Sequence, residues 1–115
     1  MNVLGWPRPE LEEGERVLFE SRASWSRRGV ARGGTLVLTD RRLLFEPNSM
    51  EASIGLLPSS WPRSALREVA VARRGWGLLS GALRRRLRVT LGDGTAVLFV
   101  IGDVDAAARQ LAAQL

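Results

Sequence analysis

Several residue types are missing from this 115-residue chain, and each absence removes a class of chemistry. Cysteine is absent, which excludes disulfides and thiolate metal sites. Histidine is absent as well, so the usual general base and the commonest metal ligand are both missing. The acidic residues show no spacing typical of metal ligands. We therefore predict no catalytic residue, no metal site and no cofactor, and hence a protein that is not an enzyme.

Long apolar runs are also missing. No segment approaches the roughly 20 apolar residues that cross a bilayer, and the N-terminus lacks the basic and apolar regions of a secretory signal. The length suits one compact domain, and 45% apolar residues suffice for a single core. We expect a cytoplasmic protein with an extended arm over residues 1–9 and one domain over residues 10–115.

Lysine does not occur, so all 17 basic residues are arginine and the net charge is +5. A basic balance is typical of proteins with an anionic partner, such as lipid headgroups or nucleic acid. An arginine-rich, alanine-rich composition is equally what a GC-rich genome encodes. Both interpretations remain open at this point.

Alternation of apolar and polar residues predicts about seven strands, because side chains on a strand point alternately to its two faces. In the first strand Val17 and Phe19 share the apolar face, and residues 26–34 are predicted to be a loop. The segment at Leu56–Trp61 contains Pro58 and is followed by Pro62, which suits a sheet edge. The predicted strands are Arg16–Trp25, Thr35–Thr39, Arg42–Glu46, Leu56–Trp61, Leu66–Ala72, Leu83–Leu91 and Thr95–Ile101.

The periodicity changes to helical spacing near the C-terminus. Asp103 is a suitable N-cap, and Val104, Ala107 and Leu111 fall on one face of the helix that follows. The predicted fold is therefore mainly β, an antiparallel seven-stranded sandwich or partial barrel capped by one C-terminal α-helix.

Four ordered segments resemble the GRAM and bacterial PH families of the pleckstrin-homology-like superfamily. The first resembles their opening L-x-x-G-E pattern and the second their central G-x-L-x-l-T-x-x-R-l-x-F pattern. The segments are Leu11–Leu18, Gly34–Phe45, Trp61–Val69 and Asp93–Phe99. The resemblance implies the same bent sandwich and a non-enzymatic binding module. It further implies that the partner is an unknown protein or an anionic membrane surface. A membrane partner would place the protein at the inner face of the membrane.

Three groups of residues are candidate contacts. Arginines in the loop after strand one occupy the place where lipid-binding PH domains carry basic residues, and guanidinium groups suit phosphate. Strand two itself is predicted to carry Thr35, Leu36 and Val37 where the family signature has basic residues, which argues against specific phosphoinositide recognition. A stripe of alternate arginines on a later strand could follow anionic phosphates, and an apolar Gly-rich loop could enter a membrane interface. The candidates are Arg27, Arg28 and Arg32; Arg84, Arg86 and Arg88; and Trp76, Leu78 and Leu79.

Each group has a plainer interpretation. The loop arginines could be solvated, the stripe could pair with carboxylates such as Glu68, and the apolar loop could pack over a sheet edge or form an oligomer contact. Nucleic-acid binding is the alternative from another class, and a homo-oligomerisation unit is a third. Single-strand binders need exposed aromatic side chains, whereas Phe19, Phe45 and Phe99 fall on apolar faces, which disfavours nucleic acid.

Overall fold

The computed structural model describes residues 8–27, 30–72 and 85–115. Within these residues the chain forms seven strands and two α-helices, with a single 3-10 turn at Arg63–Ala65. The strands are β1 (Val17–Arg27), β2 (Val30–Thr39), β3 (Arg42–Pro47), β4 (Ser59–Pro62), β5 (Leu66–Ala72), β6 (Arg86–Leu91) and β7 (Ala96–Ile101). The helices are α1 (Ser49–Ser53) and α2 (Val104–Ala112). The predicted antiparallel sheet with a C-terminal helix is confirmed.

The strands form one sheet in the order β4-β3-β2-β1-β7-β6-β5, and every pairing is antiparallel. β1 is the corner strand, because it pairs with β2 along its length but with β7 only over Ala23–Ser26. Phe45 of β3 and Phe99 of β7 lie three strands apart, which in a flat sheet is about 14 Å. Their ring centroids are only 5.9 Å apart, so the sheet folds over on itself around the core.

The core contains the residues that alternation placed inside the sheet. Phe19, Phe45 and Phe99 are all buried, as predicted, and α2 adds Val104, Ala107 and Leu111 to the same cluster. Asp103 caps α2 by accepting a hydrogen bond from the backbone N–H of Ala106. The helix therefore covers the sheet with the face that its spacing predicted.

The predicted position of Val17 on the apolar face is wrong. A bulge between Val17 and Phe19 places Val17 opposite Thr39 and Phe19 opposite Leu38. The extra residue turns the side chain of Val17 to the other face, where it is exposed, while Phe19 stays in the core. Alternation alone cannot reveal a bulge because the pattern on either side remains intact.

The predicted loop over residues 26–34 is also wrong. β1 continues to Arg27 and β2 begins at Val30, so the two strands form a long hairpin in which Arg27 pairs with Val30. Glycine remains necessary in this ladder for a packing reason. A Cβ on Gly34 would lie 2.3 Å from the carbonyl oxygen of Glu46 and 2.7 Å from the ring of Phe45.

Residues 47–55, predicted to be turn-rich, contain the short helix α1, and the strand predicted at Leu56–Trp61 begins only at Ser59. The Asn48 side chain caps this helix by accepting a hydrogen bond from the backbone N–H of Glu51. β4, which follows, forms one edge of the sheet as its prolines predicted. β5 forms the other edge and carries a register shift between Leu66 and Glu68. In the described part of the chain, neither helix is long and apolar enough to cross a membrane.

Candidate functional site

The β1–β2 hairpin carries two of the predicted arginines at its tip. Residues directly opposite each other in an antiparallel pair share a face, and here Trp25 faces Arg32 while Arg27 faces Val30. Both arginines therefore lie on the core-facing side of the hairpin, beyond the end of the core. The guanidinium carbon of Arg27 lies 5.0 Å from the Trp25 ring centroid, a cation–π distance.

The position of Arg32 corrects an expectation drawn from the sequence. Strand two was predicted to begin at Thr35 and therefore to lack a basic residue. Because β2 begins at Val30, Arg32 lies within strand two and projects beside α1. Its Nη1 lies 3.5 Å from the Glu51 carboxylate, and its side chain is 42% exposed.

An aromatic cluster supports this end of the hairpin. The Trp25 ring packs edge-on against Trp61 at 5.4 Å and against Phe45 at 5.8 Å, and it lies 6.4 Å from Phe99. Trp25 and Trp61 are half-buried, so they close the core while remaining close to its surface. The arginines at the hairpin tip are thus carried by a packed base.

Exposed apolar side chains collect at the same end of the domain. Met50, Ile54 and Leu57 of the β3–β4 connection are 74%, 66% and 73% exposed, the highest values among the large apolar residues of the described chain. The backbone N–H of Asn48 bonds the carbonyl of Gly33, which places this connection beside the start of β2. We call this surface the α1 end, and it comprises Arg27, Val30, Arg32, Met50, Ile54 and Leu57.

The apolar part of the α1 end was missed in the sequence. Residues 47–55 contain proline, asparagine, serine and glycine, which together are typical of a turn. The overlooked signal is Asn48 followed three residues later by Glu51, a spacing typical of a helix N-terminus. A helix beginning there places Met50 and Ile54 four residues apart, and therefore on one side of the turn.

The predicted arginine stripe on β6 lies on the opposite face of the sheet. Arg86 and Arg88 alternate with the buried Leu87 and Val89, so they face outward while Arg27 and Arg32 face the core side. Nη2 of Arg88 lies 3.9 Å from the Glu68 carboxylate, the pairing that was the plainer interpretation. The described members of the two arginine groups therefore do not form one site.

Five predicted contacts lie outside the described residues. They are Arg28, Arg84, and the residues of the predicted apolar loop, Trp76, Leu78 and Leu79.

A buried ion pair links the opening pattern, Leu11–Leu18, to the central pattern, Gly34–Phe45. The guanidinium of Arg42 donates to both carboxylate oxygens of Glu15, at 2.8 and 2.9 Å, and the Thr39 hydroxyl donates to the same carboxylate at 2.6 Å. The Arg42 hydrogen bonds are the main reason that the pKa of Glu15 falls from 4.5 to about 2. The Glu15 side chain is fully buried, so this cluster joins the N-terminal segment to the β2–β3 hairpin. Its role is structural.

A cavity of about 460 Å³ lies between β1 and the junction of β7 with α2. Arg22 and Arg85 line it, and Arg85 donates two hydrogen bonds to Asp105 in the first turn of α2. That carboxylate offsets the charge of Arg85, which weakens the cavity as an anion site. Within the described ranges, no three acidic side chains are grouped closely enough to hold a metal ion.

Comparisons with known proteins give a fold and no family. No protein-family model matches the sequence, and no curated protein matches it either. Among solved structures, the C-terminal domain of an unknown protein from Leishmania infantum is similar, with a TM-score of 0.67 and 15% identity over 88% of this chain and 84% of that one. The Vps36 N-terminal PH domain is similar with a TM-score of 0.60 and 16% identity over 90% and 84% of the two chains. At such identity the likeness shows the fold alone. The order of the strands, the folded-over sheet and these neighbours together show that the chain has a pleckstrin-homology-like fold.

Proposed function

We propose that this domain is a non-enzymatic binding module that attaches peripherally to an anionic membrane surface, at the cytoplasmic face. Pleckstrin-homology-like domains commonly bind proteins or lipids, which supports a binding role. The absence of histidine and cysteine supports a role without catalysis. The fold leaves the partner open, so the choice of a membrane rests on the surface of this chain.

The observation that carries the proposal is the pair Arg27 and Arg32 at the tip of the β1–β2 hairpin. Their backbones are held by a continuous ladder, and they share one face of it. Because the backbone at both residues is already ordered, their guanidinium groups can bind phosphate oxygens without first ordering a loop. Arginine also suits phosphate better than a point charge does, because its planar group donates two parallel hydrogen bonds.

The experiment is vesicle co-sedimentation of the intact chain with phosphatidylcholine alone and with added phosphatidylserine. We expect binding only to the anionic vesicles, weakening as salt is raised. A basic residue near an anionic surface contributes about 1 kcal/mol, so the double variant Arg27→Gln with Arg32→Gln should bind roughly tenfold to thirtyfold more weakly.

The matched control is Arg86→Gln with Arg88→Gln, which removes the same charge from the opposite face of the sheet. Because Arg86 and Arg88 lie on the other face, their loss changes only the long-range electrostatic attraction and should weaken vesicle binding by less than about threefold. Equal losses in the two double variants would mean that net charge alone attracts the vesicles. Absence of binding by the unaltered chain to either vesicle would overturn the proposed function and would favour a protein partner.

A further inference from the structure

The β3–β4 connection projects three large apolar side chains into solvent. Isolated apolar residues are ordinary on protein surfaces, but Met50, Ile54 and Leu57 are each about two-thirds exposed or more, and they lie close together in the chain. No residue of α1 is buried, so the helix adds nothing to the core. Its apolar side chains are therefore available to something outside the domain.

This projection has a fixed backbone. The Asn48 side chain accepts from the Glu51 N–H at 2.9 Å, and the Asn48 carbonyl accepts from the Ala52 N–H at 2.9 Å. At the other end of the segment, Leu56 turns inward and packs against the core cluster. The connection is thus anchored before and after α1, and it presents its exposed side chains from a defined position.

The charges around the projection also point to a specific type of surface. Glu51 is the one acidic residue in the β3–β4 connection, and its side chain is only 12% exposed because it faces Arg32. The acid is therefore turned inward and paired with Arg32, whose side chain is still 42% exposed, while Arg27 is exposed near the tip of the β1–β2 hairpin. An apolar tip with a basic rim complements an acyl layer beneath anionic phosphates.

We propose that α1 and the turn after it form a wedge that enters an anionic membrane, with Met50, Ile54 and Leu57 in the boundary between headgroups and acyl chains. Arg27 and Arg32 then lie at the level of the lipid phosphates. This inference rests on the proposed function and adds the orientation of the domain and the residues that insert. The Gly-rich loop with Trp76, Leu78 and Leu79 lies outside the described residues and stays a separate prediction.

The chain contains no cysteine, so one introduced thiol reports on one position. Met50→Cys labelled with an environment-sensitive fluorophore should shift to shorter wavelength when anionic vesicles are added, and lipids with brominated acyl chains should quench it. Val17→Cys, at an exposed apolar residue on the outer face of β1, is the matched control and should show neither change.

A second measurement removes the wedge without disturbing the core. The triple variant Met50→Ser, Ile54→Ser and Leu57→Ser should bind anionic vesicles roughly a hundredfold more weakly than the unaltered chain. The exposed apolar residues Val17 and Leu115 provide the control substitutions Val17→Ser and Leu115→Ser, which should leave binding within about twofold. A urea unfolding curve for each variant confirms that the fold is retained.

The outcomes separate this inference from the function on which it rests. If the unaltered chain binds anionic vesicles but the triple variant binds equally and the Met50 label does not respond, the wedge is wrong and membrane attachment stands. If the unaltered chain binds no vesicle, both proposals are overturned. Self-association that is lost in the triple variant, without vesicle binding, would assign this surface to a second copy of the chain.

Discussion

Arg42 and Glu15 are 27 residues apart in the sequence, yet Arg42 holds both oxygens of the Glu15 carboxylate from the start of β3. Thr39, at the end of β2, adds a third hydrogen bond to that carboxylate. The Glu of the opening pattern and the Thr and Arg of the central pattern thus form one cluster. In this chain each of the three residues supplies a partner that the others need when buried.

Removal of the acid from this cluster should destabilise the domain. Glu15→Gln leaves the Arg42 guanidinium without its charged partner, and we expect the free energy of unfolding to fall by about 2–4 kcal/mol. Urea denaturation measures it. Glu46→Gln is the matched control, since burial raises the pKa of Glu46 and its neutral analogue should change stability by less than about 0.5 kcal/mol. Equal effects of the two substitutions would contradict the role assigned to the cluster.

The same carboxylate should make stability depend on pH. Its pKa is lowered in the folded state, so the ionised form stabilises the fold, and that contribution is complete above pH 4.5. As pH falls from 4.5 to about 2 the contribution is lost. The difference in unfolding free energy between the unaltered chain and Glu15→Gln should therefore shrink across this window. A difference that stays constant down to pH 2 would show that the lowered pKa of Glu15 is not its source.

Gly34 should tolerate no side chain. A Cβ there would meet the Glu46 carbonyl oxygen at 2.3 Å, which forces β2 and β3 apart. We expect Gly34→Ala to cost about 3 kcal/mol, as overpacked sites do. Gly102→Ala is the control because nothing lies within 4 Å of the added carbon, and thermal unfolding compares the two. Similar melting temperatures for Gly34→Ala and Gly102→Ala would contradict the close approach of β2 and β3 at Gly34.

The ion pair between Arg88 and Glu68 should contribute little. The nearest atoms are 3.9 Å apart, and the side chains are 43% and 62% exposed. Pairs of this kind are screened by solvent, so Glu68→Gln should change the free energy of unfolding by less than about 0.5 kcal/mol. A loss above about 1 kcal/mol in urea denaturation would mean that the stripe on β6 has a structural role.

The sequence predicts most of the sheet because alternation marks each strand that has one buried face. It fails where the backbone departs from that period. The bulge beside Phe19 turns Val17 outward. The glycines before Thr35, which suggest a loop, belong to β2, and Gly34 packs against Phe45 where a side chain would not fit.

The candidate site was less predictable than the fold. The β1–β2 arginines were recognised by residue type, but their place on paired strands depends on the hairpin register. The apolar part was missed because the proline, asparagine, serine and glycine of residues 47–55 are together typical of a turn. Only the capping pair Asn48 and Glu51 marks the helix in the sequence, and exposure becomes evident once the fold is built.

Hydrogen exchange of the intact chain, measured with and without phosphatidylserine-containing vesicles, maps the surface that meets the membrane. We expect vesicles to slow exchange in residues 27–32 and 48–58 and to leave exchange in β5 and β6 unchanged. Protection centred on Arg86 and Arg88, or no protection by anionic vesicles at any position, would contradict membrane attachment through the α1 end.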